Sequence, residues 1–83
     1  MKVEVGPDGL VVSAGDLGPL LGLAPEEVPE AMRRGEVTSL HEEGRGEDAG
    51  RFRITFRHGR TRLRLTCGPD GTVLKRSRWT AGR

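Results

Sequence analysis

The residues best suited to binding a ligand are concentrated in an arginine-rich stretch, RFRITFRHGRTRLRLT, at positions 51–66. Arginine alternates with apolar residues there, and a turn at 58–60 interrupts the alternation near its centre. Successive side chains of a β-strand point to opposite faces, so this pattern predicts a two-faced hairpin. One face carries Phe52, Ile54, Phe56, Leu63 and Leu65, and the other carries Arg51, Arg53, Arg57, Arg62 and Arg64.

This arginine face needs compensating negative charge, because like charges directly opposite each other destabilise a sheet. A phosphate backbone could supply that charge, as in proteins that bind single-stranded nucleic acid. Alternatively, the arginine face could be the solvent-exposed face of a small sheet, or an acidic loop could fold over it. The carboxylates of that loop are Glu42, Glu43, Glu47 and Asp48.

The last strand decides what else shares the arginine face. If the Gly-Pro-Asp-Gly turn at 68–71 sets the pairing, Arg76 and Arg78 join the other arginines. Trp79, which has the opposite parity, then falls on or near the core side of the sheet. Sheets that bind RNA stack bases on aromatic rings, and the arginine face would have none.

Metal binding and catalysis have few candidate residues. His58 lies in the hairpin turn and Cys67 about 30 Å further along at the rise of a strand, so the two cannot share an ion. His41 could approach Cys67, but two ligands do not make a zinc site, and no nucleophile–base–acid set is legible. The acidic residues at 42–48 lack the ligand order of an EF-hand. We expect no enzyme activity, no metal and no cofactor, and a buried, inert thiol at Cys67.

A predicted helix pair at 16–28 superficially suggests a helix-turn-helix. A recognition helix needs donors for bases and phosphates, and the second helix presents carboxylates instead. The wrong sign of charge favours a helix pair that only covers the sheet. The carboxylates are Glu26, Glu27 and Glu30.

Turn and cap residues place the remaining elements. Gly-Pro-Asp-Gly occurs at both 6–9 and 68–71, and each copy predicts a hairpin turn whose final glycine takes a positive φ. The first turn would pair residues 3–5 with 11–13. The second would pair the strand that ends at Cys67 with the strand that follows the turn.

The helices are predicted from their caps and breakers. Ser13 and Asp16 resemble a capping box and open a short helix that Gly22 ends. Pro25 opens a second helix, with carboxylates near the positive end of its dipole. The residues of this helix expected to face the core are Val28 and Met32.

A third strand is predicted at 36–43, followed by a glycine-rich connection at 44–50. Val37 and Leu40 have opposite parity in this strand, so we expect a bulge or an early end. The predicted order is β-β-α-α-β-β-β-β, an α+β domain in which two short helices cover one face of an antiparallel sheet. Residues 1–83 are expected to form a single domain.

Charge is divided unevenly along the chain. Residues 1–50 carry four Lys/Arg against eleven Asp/Glu, a net charge of −7, whereas residues 51–83 carry ten against one, a net charge of +9. This asymmetry suggests an anionic partner for the C-terminal half, or neutralisation of one half by the other. Neither a signal-peptide stretch nor a membrane-spanning segment is legible, so we expect a cytoplasmic protein without a membrane partner.

Three motifs resemble a family of short, uncharacterised bacterial proteins that share a domain of unknown function. They are GEVTS at 35–39, GEDAGRFRITF at 46–56 and RTRLRL at 60–65, and the resemblance runs from about Ser13 to Ser77. The family's signature has the form GEDAGRxRxTF, and the resemblance implies no particular activity. It directs attention to the junction of loop and strand as a shared site, formed by Glu47, Asp48, Arg51 and Arg53.

The sequence favours a small, non-enzymatic interaction protein that binds a protein partner or a second copy of itself through its sheet. The C-terminal strand would be an open edge with Trp79 as its anchor, and Arg76 and Arg78 would discourage indiscriminate pairing. The alternative is a sequence-nonspecific nucleic-acid-binding module that uses the arginine face.

Overall fold

A four-stranded antiparallel sheet with two helices on one face forms the body of the protein in its computed structural model, which describes residues 1–6 and 9–82. The α+β class and the predicted order β-β-α-α-β-β-β-β are confirmed. In chain order, the elements are β1 Val3–Gly6, β2 Gly9–Val12, α1 Ala14–Leu21, α2 Val28–Arg33, β3 Val37–Glu43, β4 Phe52–His58, β5 Thr61–Cys67 and β6 Val73–Thr80.

The main sheet has the strand order β3-β4-β5-β6, and β1 and β2 form a separate two-stranded sheet. The arginine-rich hairpin is β4 and β5, which pair in the register expected from their alternation: Phe52 lies opposite Cys67, and Phe56 lies opposite Leu63. Their apolar side chains are buried beneath the helices, where α1 contacts β5 and α2 contacts β3. The core consists of Val3, Leu17, Leu21, Val28, Ala31, Val37, Phe52, Ile54, Phe56, Leu63, Leu65 and Cys67.

Helix α1 ends as predicted, but it begins without the predicted capping box. Gly22 has the left-handed φ of 76° that a C-terminal glycine commonly adopts. Ser13 occupies the N-cap position, yet its side chain makes no capping hydrogen bond. Instead, the Ser13 carbonyl accepts from the amide nitrogens of Asp16 and Leu17 at 3.1 and 2.8 Å. The backbone alone therefore begins the helix, and the capping-box prediction was wrong.

The second helical segment opens with a 3₁₀ turn, Pro25–Glu27, that leads directly into α2. The Glu27 carboxylate accepts a hydrogen bond of 2.9 Å from the Ala24 amide, which satisfies one otherwise free donor at the start of this turn. Val28 is buried as expected, but Met32 is 41% exposed and Ala31 packs into the core in its place. The assignment of Met32 to the core was wrong because the helix begins as a 3₁₀ turn, whose tighter winding rotates the residues that follow.

Strand β3 is regular along its whole length, so the expected bulge or early end was wrong. Its residues pair one to one with β4, from Val37 opposite His58 to Glu43 opposite Phe52. Val37 and Leu40 point to opposite faces of the regular strand. Val37 is buried, whereas Leu40 lies on the other face and is 56% exposed.

A bulge is instead present in β6. Cys67 pairs with Val73, but Thr66 pairs with Lys75, so that Leu74 has no partner residue in β5. One extra residue in a strand moves every later side chain to the opposite face of the sheet.

This shift reverses the predicted faces of the last strand. Trp79 lies directly opposite Arg62, on the arginine face, so its placement on or near the core side was wrong. Arg76 and Arg78 lie opposite core leucines of β5, on the side of the sheet that the helices cover. The prediction that Arg76 and Arg78 join the arginine face was therefore also wrong.

The second Gly-Pro-Asp-Gly turn has the predicted chemistry and also anchors the N-terminus. Gly71 has a φ of 89°, and its amide donates to the Gly68 carbonyl at 2.9 Å. Its own carbonyl accepts a hydrogen bond of 2.8 Å from the Val3 amide. The Asp70 carboxylate accepts from the amide and the hydroxyl of Thr72, and these two bonds lower the pKa of Asp70. Residues 7 and 8, at the centre of the first copy of the turn, lie outside the described residues.

We expect Gly71→Ala to destabilise the protein by more than about 2 kcal/mol, because a side chain in the left-handed region is strained and this one has no space. An added Cβ would lie 1.8 Å from the Val3 carbonyl oxygen. The free energy of unfolding in urea measures the effect. Gly15→Ala is the matched control, since that exposed position in α1 has room for a Cβ. This change should raise the free energy of unfolding by up to about 1 kcal/mol. Equal effects of the two changes would contradict this account.

Candidate binding face

The face of the main sheet opposite the helices is uncovered by any described element, and we call it the open face. The pairing of the strands defines its membership, because residues directly opposite each other project to the same side. Basic and hydroxyl side chains dominate it. Its members are Thr38, Leu40, Glu42, Arg53, Thr55, Arg57, Arg62, Arg64, Thr66, Lys75, Ser77 and Trp79.

Trp79 and Arg64 contact each other on the open face. The Arg64 guanidinium carbon lies 5.3 Å from the centroid of the Trp79 ring, within the range of a cation–π interaction. Arg64 Nε also donates a hydrogen bond of 3.3 Å to Thr55 Oγ1. Thr55 is buried as a result, whereas Trp79 stays 40% exposed. The indole ring is thus held in position while much of its surface faces solvent.

Arg57 and Arg62 lie directly opposite each other, an arrangement that repulsion would disfavour if nothing compensated it. Arg62 Nη1 donates to the carbonyl oxygens of Gly59 and Thr61, at 2.9 and 3.1 Å. Carbonyl oxygens of the hairpin turn therefore stabilise the positive charge of Arg62, one of the two opposed arginines. Arg57 is exposed and forms no ion pair with any described residue.

The acidic segment neutralises only part of the open face. Glu42 lies on that face and pairs with Arg53 at 3.6 Å, and Asp48 pairs with Arg51 at 3.9 Å. Both pairs are solvent-exposed, and such pairs contribute at most about 1 kcal/mol. Glu43 lies opposite Phe52 and so belongs to the other face, and Glu47 forms no ion pair within the described chain. Arg51 and Arg53 consequently keep about half of their side-chain surface in solvent.

A cleft of about 470 Å³ lies where the open face meets the loop between β3 and β4, and we call it the end cleft. The loop contains a 3₁₀ turn, Gly46–Asp48, and it is closed by a hydrogen bond of 2.8 Å from the Gly44 amide to the Arg51 carbonyl. The end cleft gathers basic side chains from the loop, from β4 and from β6. The side chains that line it are Glu43, Arg45, Asp48, Arg51, Phe52, Arg53, Thr66 and Lys75.

Charge is separated between the two layers of the protein. The helical layer and the connection to β3 carry exposed or half-exposed carboxylates, including Asp16, Glu26, Glu27, Glu30 and Glu36. Glu30 pairs locally with Arg33 and Arg34, the basic residues at the end of α2. On the open face, Glu42 is the one carboxylate among the paired residues. The division of charge along the sequence therefore becomes a division between the helical layer and the open face, although Arg76 and Arg78 of β6 are exposed on the helix side of the sheet.

The remaining candidate residues have structural roles or lie apart. His58 ends β4, and its Nδ1 donates to the Leu21 carbonyl at 3.0 Å, which caps the C-terminal end of α1. Cys67 is fully buried, as predicted, and burial raises the pKa of its thiol. His41 packs edge-on against Phe52, which separates it from Cys67. Among the described residues, no three His, Cys, Asp or Glu side chains are grouped closely enough to hold a metal ion.

Of the residues proposed from sequence, the structure brings Arg53, Arg57, Arg62 and Arg64 together on the open face. Arg51 and Asp48 lie at its end, in the end cleft. Sequence reasoning missed Lys75, Thr66 and Arg45 as members of this region. The adjacent apolar residues Val73 and Leu74 carried the missing signal, because two consecutive residues of a regular strand cannot both face the core.

These features define a small α+β protein with an acidic helical layer and an open, basic sheet face that carries one exposed aromatic ring. The chain belongs to the family of unknown function DUF6522, whose model matches residues 1–83. No curated protein and no solved structure matches the chain. None of the helices in the described part of the chain is both long and apolar enough to cross a membrane.

We expect Arg64→Ala to lower the free energy of unfolding by about 1–2 kcal/mol, because it removes the contact with the Trp79 ring and leaves the buried Thr55 hydroxyl without its donor. Urea unfolding followed by Trp79 fluorescence measures the loss, and the emission maximum should also shift. Arg78→Ala, on the neighbouring strand but the opposite face, is the control and should change stability by less than about 0.5 kcal/mol. A loss as large in the control would contradict the assigned faces.

Proposed function

We propose that this protein is a small, non-enzymatic, cytoplasmic protein that binds single-stranded nucleic acid on its open face without reading its sequence. The observation that carries the proposal is that Trp79, 40% exposed, lies on the same face as Arg53, Arg57 and Lys75. Proteins that bind single strands combine a basic groove along the backbone with aromatic side chains on which bases stack.

The distribution of charge supports the same ligand. The helical layer is acidic and the open face is basic, so the field of the protein would orient a polyanion toward the open face. Arg57 and Lys75 form no ion pair with a described residue, and both are exposed. Cations in this state can neutralise phosphates and release the counterions bound to them, which favours binding at low salt.

The geometry favours a single strand over a duplex. Recognition of duplex DNA commonly places a helix or a strand ribbon in the major groove, and the 3₁₀ turn that leads into α2 exposes Glu26 and Glu27. The open face is short as well: Trp79 and Lys75 lie four residues apart in β6, or about 13 Å at strand rise. That length accommodates only a few nucleotides. A single exposed ring and flexible arginines would contact any base, which accounts for the absence of sequence reading.

Fluorescence anisotropy with a labelled single-stranded RNA or DNA of about ten nucleotides tests the proposal. Trp79→Ala should weaken binding by about 5- to 150-fold, the effect of about 1–3 kcal/mol of stacking on one base. The double variant Arg53→Glu/Arg57→Glu should weaken binding further and should reduce the slope of log affinity against log salt by about 1.4.

The matched control is Arg76→Glu/Arg78→Glu, which makes the same change of charge on the opposite face of the same sheet. This control should retain most of the binding. If the two double variants weaken binding equally, only net charge matters and the open face is not the site. An absence of binding by the wild type at low salt would exclude the proposal altogether.

A second candidate is a protein interaction through the outer edge of β6. The exposed residue Leu74 favours it, since an apolar side chain beside unpaired backbone groups can receive an added strand. A second copy is a poorer partner than an acidic segment, because antiparallel pairing of two β6 strands centred on Ser77 would place Arg76 of one copy opposite Arg78 of the other.

Sedimentation velocity over a hundredfold range of concentration tests for pairing between copies of β6. We expect the wild type to remain monomeric and Arg76→Leu/Arg78→Leu to form dimers, because the variant removes the repulsion along the edge. A wild-type dimer that Leu74→Asp dissociates would instead favour self-association through this edge.

A further inference from the structure

The end cleft combines residues of the open face with residues of the loop between β3 and β4. Arg45 and Arg51 come from the loop, whereas Arg53, Thr66 and Lys75 come from three neighbouring strands. Residues so distant along the chain converge on one volume only because β4, β5 and β6 pair in this register. The cleft therefore depends on the same bulge that brings Lys75 to the open face.

The basic side chains of the end cleft exceed its acidic ones. Arg51 and Arg53 each have one carboxylate partner, at 3.9 and 3.6 Å, and each guanidinium keeps further donors free for a ligand. Arg45 and Lys75 are exposed and form no ion pair with a described residue. Glu43 and Asp48 also line the cleft and oppose the binding of an anion.

The number and arrangement of the donors fit a phosphate monoester. Such a group carries a charge of about −1.5 to −2 near pH 7 and three acceptor oxygens, so it can satisfy donors from several directions. Guanidinium groups bind it through paired hydrogen bonds, whereas an ammonium acts as a point charge. A carboxylate has one charge and two oxygens, and it would leave most of these donors unused.

The position of the loop favours binding of the end of a nucleic-acid strand in the end cleft over binding of its middle. The loop is tightly closed, since the Arg51 amide donates to the Asp48 carbonyl at 2.9 Å and a Cβ on Gly44 would lie 2.2 Å from the same oxygen. This loop stands where the open face finishes, beyond the row of Arg53, Thr66 and Lys75. A nucleic acid that follows the strands from Trp79 toward Lys75 meets the loop after about 13 Å.

We infer that the end cleft binds a phosphate monoester, as at the phosphorylated end of a strand held on the open face. The inference rests on the proposed function for the source of the phosphate, but the cleft itself could take the same group from a small phosphorylated molecule. The volume of about 470 Å³ exceeds that of a phosphate and leaves room for an attached sugar.

The experiment compares one labelled oligonucleotide in three forms, with a 5′-phosphate, with a 3′-phosphate and with hydroxyls at both ends. We expect one phosphorylated form to bind about tenfold more tightly than the hydroxyl form, the effect of one or two charge-assisted hydrogen bonds. Lys75→Gln and Arg45→Gln should abolish this difference. Glu43→Gln should increase the affinity for the phosphorylated form, because it removes a carboxylate from the cleft.

Arg76→Gln is the matched control, since it neutralises the residue next to Lys75 on the opposite face, and it should preserve the preference for phosphate. All variants change exposed residues, and urea unfolding verifies that each is as stable as the wild type. A nucleoside monophosphate is tested by calorimetry in the same variants. If it binds in a manner that Lys75→Gln abolishes while no oligonucleotide binds, the cleft is supported with a small molecule as the source, and the proposed function fails.

Two results overturn the inference. If the three oligonucleotides bind equally and the nucleoside monophosphate does not bind, the open face binds nucleic acid and the end cleft does not recognise phosphate. If Arg76→Gln abolishes the phosphate preference as completely as Lys75→Gln, the preference arises from overall charge and not from the cleft.

Discussion

The register between β5 and β6 is the constraint on which the composition of the open face depends. With no bulge, the turn at 68–71 would place Arg76 and Arg78 among the arginines of β4 and β5 and would turn Trp79 toward the helices. The extra residue, Leu74, reverses this arrangement. The open face consequently exchanges two more arginines for one lysine, one serine and one exposed aromatic ring. A single unpaired residue thus replaces a crowded cationic surface with one that carries both cations and an exposed aromatic ring.

The arginines of the open face are tolerated because their charges are handled in different ways. Arg62 donates to carbonyls of the hairpin turn, Arg64 lies against the Trp79 ring, and Arg53 pairs with Glu42. These contacts orient the side chains and reduce repulsion without burying the charges. The remaining cations, Arg57 and Lys75, lie near opposite ends of the face. Local compensation therefore keeps the sheet stable and still leaves positive potential toward solvent.

The turn that precedes β6 also connects the two sheets. The Gly71 carbonyl accepts from Val3, a bridge pairs Lys2 with Thr72, and the Val73 amide donates to the Met1 carbonyl at 3.3 Å. Val3 is completely buried at this junction. The N-terminal hairpin consequently packs against the same segment that contains the bulge, so the helical layer, the first hairpin and the start of β6 meet at one point.

The class of fold and most of its elements follow from local features of the sequence. Period-two alternation at 51–66 determined the register of β4 and β5, and Gly22 and the turn glycines determined where elements end, because these effects act within a few residues. Predictions from local features were wrong where contacts with neighbouring elements outweighed the local pattern. The 3₁₀ turn before α2 replaced Met32 by Ala31 in the core, and β3 followed the pairing of β4 despite the parity of Leu40.

The composition of the candidate site was only partly predictable. The sequence by itself determined that four arginines of β4 and β5 share a face, since their spacing leaves no alternative within a regular hairpin. Only the tertiary structure decided which face receives Trp79 and Lys75 and which residues meet in the end cleft. The physical reason is that pairing between strands has a period of two residues, so one bulge, whose position depends on packing at the turn, reverses every side chain beyond it.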